Sequence, residues 1–224
     1  MKSLLNNTWT VCIGMLLLLM PGSLTAGTIK GNVSVRGLRS PENILVYLVR
    51  APVVEVDLSK ARFDMDQRNL TFIPHVLPVI VGAAVNFPNN DKVDHNVFSL
   101  SRANKFNLGS FKPGARQTVS FENPGIVELR CDVHAEMAAY IMVMKSPYFS
   151  VTDRRGNFEI PDRRYLEAHG IGAVPDLPPG TYVVKTRHAK LKTIRQKVNF
   201  SGQGGVTVDL TLTRGTPGVL YKSL

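Results

Sequence analysis

Cys131, His134 and Met137 stand at three-residue steps within the stretch GIVELRCDVHAEMAAYIMVM. A thiol, an imidazole and a thioether so close together offer soft sulfur and nitrogen to a metal, not hard oxygen. Val127, Leu129 and Cys131 share one parity of the run, whereas Glu128 and Arg130 share the other. Strand alternation therefore turns the thiol toward the apolar side and the charges outward. The strand pattern stops at Cys131, and a fresh apolar strand, AYIMVM, begins after Met137. One short inter-strand loop thus carries all three donors. Two His and one Cys with a distant Met are the pattern of an electron-transfer copper site. The second imidazole must come from elsewhere, and His95 in NNDKVDHNVFSL sits in a polar turn just ahead of the strand Asn96–Leu100. Glu136 rivals Met137 as the fourth donor.

Each of these residues has a plainer reading. A lone Cys on a strand is usually a small buried hydrophobe, and a Cys-His pair can be a nucleophile and its base. The second option lacks an orienting third group and an oxyanion element. His75 in FIPHVL reads as a structural histidine, Asp94 as a residue that shapes the turn, and His169 and His188 as ordinary surface or core residues.

The elements around these donors are short. Runs such as TIKGNVSV, NILVYLV, LPVIVGAAVNF, ARQTVSF, TYVVKTRH and VTVDLTL alternate with Gly, Pro and Asn clusters, and none keeps a 3.6-residue apolar period. That spacing predicts an all-β chain of sandwich or barrel type. Weak helical patterns cover only Leu58–Arg68 and Arg163–His169. Asp153-Arg154-Arg155-Gly156 reads as a hairpin turn, and Pro178-Pro179-Gly180 as a tight turn feeding the next strand. An apolar content of 44% with 20% charged residues argues against disorder.

The amino terminus reads as an export signal. Lys2 precedes the apolar run Trp9–Met20, Pro21-Gly22 breaks it, and the small residues of SLTAG predict a cut after Ala26. The apolar run is too short to favour a membrane anchor, so the expected location is periplasmic or secreted, with no stable membrane insertion after cleavage. Cys12 leaves with the signal, which makes Cys131 the only thiol of the mature chain. An unpaired thiol in an oxidising compartment is itself a pointer to a bound metal.

The spacing C-x2-H-x2-M, with an upstream His followed by Asn, resembles the blue copper proteins (cupredoxins) of amicyanin and plastocyanin type, over about residues 70–146. The resemblance implies one type 1 copper ion on His95, Cys131, His134 and Met137 in a Greek-key β-sandwich. It also implies that Asn96 braces the Cys-bearing loop. Pro147–Ile160 and Pro178–Tyr182 are similar to segments of periplasmic methylamine-utilisation-like proteins and of the carboxypeptidase regulatory-like (transthyretin-like) sandwich. The implied order is a signal at 1–26, the first part of a split sandwich at 27–52, a cupredoxin domain at 53–147, the second part at 148–215 and a tail at 216–224. Charge follows the same division. Residues 27–52 carry 4 basic and 1 acidic side chains, 53–147 carry 10 of each, and 148–224 carry 12 and 6. The chain departs from these relatives in an extra segment, Arg163–Asp176, and in Arg187-His188 where Trp-His is common.

A one-electron carrier is the function expected of such a chain, rather than an enzyme. Copper trafficking or storage and a non-redox interaction module are the alternatives. Six Lys or Arg lie within Lys185–Lys197, which reads as a solvated strand face able to steer an acidic redox partner. Nucleic acid is not an expected partner, because no aromatic platforms interleave with the basic residues.

Overall fold

Short β-rich runs punctuated by turn residues become eighteen strands and one helix among the described residues of the computed structural model, 27–202 and 204–215. The expected export signal with Cys12 and the tail at 216–224 lie outside them. In chain order come β1 (Ile29–Arg36), β2 (Leu45–Val49), β3 (Phe63–Asp64), β4 (Asp66–Arg68), β5 (Thr71–Ile73) and β6 (Val76–Ile80). They are followed by β7 (Ala84–Pro88), β8 (His95–Ser99), β9 (Phe106–Phe111), β10 (Arg116–Ser120), β11 (Gly125–Arg130) and β12 (Ala138–Met144). The last are β13 (Phe149–Val151), β14 (Asn157–Ile160), α1 (Arg163–Ala168), β15 (Gly180–Arg187), β16 (Arg195–Phe200), β17 (Val206–Thr207) and β18 (Leu210–Thr213). No helix among the described residues is long and apolar enough to cross a membrane.

The middle of the chain builds a five-stranded sheet in the order β6-β12-β11-β8-β9 and a three-stranded sheet in the order β10-β7-β3. Phe63, Val85 and Phe87 of the smaller sheet share one buried cluster with Val97, Val127, Leu129 and Ile141 of the larger. Along β11 the buried positions Val127 and Leu129 alternate with Glu128 and Arg130, and Cys131 continues the buried parity. The strands that flank this block in sequence meet each other in space. β1 pairs with β14, β17 and β18, while β2 pairs with β13 and β15. A second buried cluster, with Val33, Val46, Val184, Phe200 and Leu210, fills the space between those two sheets. Strands β3–β12 therefore lie in sequence between β2 and β13, which pair with each other.

Three local expectations change. The helical pattern at Leu58–Arg68 yields β3 and β4 instead, because Phe63 and Met65 are drawn fully into the core. The Asp153–Gly156 turn forms, with Gly156 at φ +84° and its N–H donated to Asp153 O, but it is no hairpin. It carries the chain from β13 in one sheet to β14 in the other. An added Cβ on Gly156 would lie 2.1 Å from Val33 O, so glycine is required on steric grounds as well. The basic run is not a solvated face throughout, since Lys185 and Arg187 are only 5% exposed.

The helical expectation at Arg163–His169 holds as α1, capped by Asp162, whose Oδ1 accepts from Tyr165 N. The extra segment Arg163–Asp176 is a clamp. Its Leu166, Ile171 and Val174 enter the core of the middle block, and Tyr165 Oη donates to Pro78 O of β6 at 2.6 Å. His169 stacks between Tyr165 and Phe63 at centroid distances of 4.1 and 4.9 Å, and its carbonyl accepts from Arg62 N. Burial of Leu166 against two layers at once predicts that Leu166→Ala lowers the unfolding free energy by about 2–5 kcal/mol. Urea titration reads this, and a loss well under about 1 kcal/mol would contradict the clamp.

His188 lies at the same junction, beside Ala189, which packs on the middle core. Burial, then His75 and Lys190, push its pKa down to about 4. The unfolded chain takes up this proton near 6.5 and the fold only near 4, so its contribution is full above 6.5 and is lost as pH falls through 4. Urea stability of the wild type should therefore drop across this window more steeply than that of His188→Gln. Parallel pH curves would refute the assignment.

Candidate metal centre

The β11–β12 ladder runs from Gly125↔Val143 to Arg130↔Ala138 and leaves residues 131–137 as the connecting loop. Cys131 leaves β11 on the inward parity and is 4% exposed. Met137 N donates to His134 O at 3.0 Å, closing a turn that sets both side chains beside the strand ends. Met137 itself is 1% exposed and belongs to the same buried cluster as Cys131. Glu136, its rival, is exposed.

His95 opens β8 opposite Phe111 of β9 and is fully buried. Its Nδ1 lies 3.1 Å from His134 Nδ1, and the Cys131 Sγ lies 3.9 Å from that same His134 atom. Donor atoms of all three residues fall within 4.8 Å of one another. A first-row divalent ion about 2.0–2.1 Å from each nitrogen and about 2.3 Å from the sulfur would see these pairs at roughly 100° and 125°. The first falls below the tetrahedral angle and the second just above the trigonal one, and two imidazoles with a thiolate are the donor types that favour copper.

The far side of the His95 ring is held as well. His95 Nε2 lies 2.9 Å from Asp91 Oδ2. Nε2–H must donate to that carboxylate, which leaves the Nδ1 lone pair bare and pointing at His134 and Cys131. Asp91 also accepts from Leu70 N at 2.8 Å. These bonds, the Leu70 amide first and the His95 ring next, hold its pKa down at about 2. Buried Asn89 organises the preceding turn. Its Nδ2 donates to Val93 O and Phe111 O, and its Oδ1 accepts from Asp91 N. The turn is thus shaped by Asn89 and Asp91, whereas Asp94, expected in that role, is exposed. Asn96 also departs from expectation. Its Nδ2 donates to Asn107 Oδ1 of β9 at 2.8 Å, and its buried Oδ1 has no partner, so it does not brace the Cys-bearing loop.

His75 stands apart from the donors. It packs edge-on against Tyr140 at 5.6 Å, and burial lowers its pKa although its ring bonds the Ala138 backbone. His169 and His188 belong to the junction described above. Sequence reasoning missed Asp91 and Asn89. The signal available for both was the Asn-Asn-Asp start of the polar turn, whose short side chains bond their own backbone. Only the four-residue offset from Asp91 to His95 separates it from Asp94.

The outer rim is more open. His134 is half-buried, and Val93 and Val133 beside the two His positions in sequence are 41% and 54% exposed.

Solved structures similar to this chain include a purple cupredoxin from Nitrosopumilus maritimus, 26% identical over 38% of this chain and 99% of that one, with a TM-score of 0.33. A reduced amicyanin variant is 18% identical over 44% of this chain and 99% of its own, with a TM-score of 0.35. A copper-containing nitrite reductase from Thermus scotoductus SA-01 is 21% identical over 50% of this chain but only 28% of its own, with a TM-score of 0.36. No protein-family model matches the sequence, and no curated protein matches it.

Asp91 fixes the tautomer and direction of the His95 ring from behind, and loss of such a partner behind a metal-ligating ring typically weakens metal binding 10–100-fold. Asp91→Asn should therefore lower copper affinity by at least about tenfold in a chelator competition. Unchanged affinity would remove Asp91 from the site.

Proposed function

We propose that the chain is an exported type 1 copper protein that carries single electrons. The observation that carries this reading is the meeting of His95 Nδ1, His134 Nδ1 and Cys131 Sγ within 4.8 Å, in a buried setting. Copper, when bound, supplies a Cu(I)/Cu(II) couple. The Cys131 thiolate and the two ring nitrogens would hold it, with Met137, buried in the same cluster as Cys131, as the weak fourth donor in preference to exposed Glu136. The β11–β12 ladder and the Asp91 tether keep these groups in one arrangement for both oxidation states, so little rearrangement accompanies the gain or loss of an electron. His134, half-buried between exposed apolar residues, is the edge through which the electron enters and leaves.

Carriage suits the chain better than copper delivery. Of the spare thioethers Met65, Met142 and Met144, the first two are 0% and 3% exposed and only Met144 is partly open, which makes no cluster for passing Cu(I) outward. The same reading takes residues 1–26 as a cleaved export signal and 53–147 as a cupredoxin domain. Residues 27–52 and 148–215 are then the two parts of a carboxypeptidase regulatory-like sandwich, with 216–224 as a tail. It places the protein in the periplasm or outside the cell. An acidic redox partner would be steered by the basic flanks, and the chain acts as a carrier and not as an enzyme.

The copper-loaded protein should show an intense visible thiolate-to-copper absorption that Cys131→Ser abolishes. Copper bound without such a band in the wild type would overturn the reading.

A further inference from the structure

The sheet β13-β2-β15-β16 presents two different faces. Val46, Leu48 and Val184 point into its own sandwich, while Leu45, Tyr47 and Phe149 point into the core shared with the middle block. Cross-strand register puts Phe149 opposite Tyr47, Tyr47 opposite Lys185, and Lys185 opposite Arg195 on that second face. The next row pairs Leu45 with Arg187, which donates to Thr193 Oγ1. Two aromatic rings therefore run into a row of cations at the junction of the two sandwiches.

Lys185 is 5% exposed, and no carboxylate among the described residues lies within 4.0 Å of it. Its one contact of note is the Tyr47 ring, with Nζ 5.7 Å from the centroid. Tyr47 is 7% exposed, and its Oη is buried without a hydrogen-bond partner. A buried hydroxyl without a partner is costly unless something accepts from it, and the Lys185 ammonium beside its ring has no carboxylate among the described residues to neutralise it. The neighbouring guanidinium groups add repulsion. Burial first, then Arg187 and Arg195, lower the proton affinity of Lys185. A negatively charged acceptor with at least two oxygens would satisfy both donors and offset the clustered positive charge.

We propose that Lys185 Nζ and Tyr47 Oη, with Arg195 across the strand, form a seat for a small oxyanion of the phosphate or carboxylate type at the junction of the two sandwiches. The near-complete burial of both residues limits the ligand to a small free anion, because a headgroup held in a bilayer could not reach between the sheets. The site is separate from the copper donors and does not depend on them.

Calorimetric titration of the intact chain with inorganic phosphate, and in a second arm with acetate, tests this at constant ionic strength set by chloride. Saturable one-to-one binding of either anion is expected. Lys185→Met should weaken it at least tenfold, and Arg195→Gln, a change at an exposed position that leaves the core intact, severalfold. The visible spectrum of the copper-loaded protein should not change on anion addition. Absence of saturable heat with both anions in the wild type would overturn the proposal. So would binding that survives unchanged in both variants.

Discussion

The approach of His95 Nδ1 to His134 Nδ1, 3.1 Å apart, is the contact on which the rest of the molecule depends. One of these nitrogens is a bare lone pair, since Asp91 takes the proton side of the His95 ring. The other can donate its N–H to that lone pair when no metal lies between them. The geometry is set because Asp91 fixes the His95 ring from behind, the β8–β9 register places its backbone, and the turn that Met137 N closes places the His134 backbone. Preorganisation of this kind is what a metal site needs if its geometry is to be set by the protein and not by the ion.

The scaffold that holds the donors is itself held from outside. The middle block enters and leaves the flanking sandwich between β2 and β13, which are hydrogen-bonded neighbours. Two sheets joined only at such an entry point would be free to rock, as domains with modest interfaces do. The Arg163–Asp176 clamp changes this by sending Leu166, Ile171 and Val174 into the middle core and Tyr165 Oη to the β6 backbone. Charge is arranged by the same junction, because parity along β15 turns Lys185 and Arg187 toward it and Val184 away.

Much of this was legible before the fold was known. Parity along Val127-Glu128-Leu129-Arg130-Cys131 is local information, and it correctly turned the thiol inward. The Cys131–His134–Met137 spacing is likewise local, and a loop that short keeps its donors near one another. Asp91 and Asp94 look alike in a polar turn, and only the positions of Leu70 N and the His95 ring decide which carboxylate is used. Asn96 found Asn107 across the β8–β9 pair because a one-residue irregularity lies between Asn96 and Phe98, which no alternation pattern reveals. Leu58–Arg68 has a weak helical pattern, yet Phe63 and Met65 reached a core that rewards extension there.

By itself, then, the sequence determined the all-β character, the three donors of the 131–137 loop and the need for a distant imidazole. These follow from side-chain chemistry and from periods of two residues, both short-range properties. The sequence also offered His95 for that place. Tertiary structure alone decided that Asp91 orients its ring, and that Lys185 and Arg187 of the basic run are buried. Those outcomes depend on which surfaces pack together across tens of residues, and burial, unlike parity, is a property of the whole packed chain.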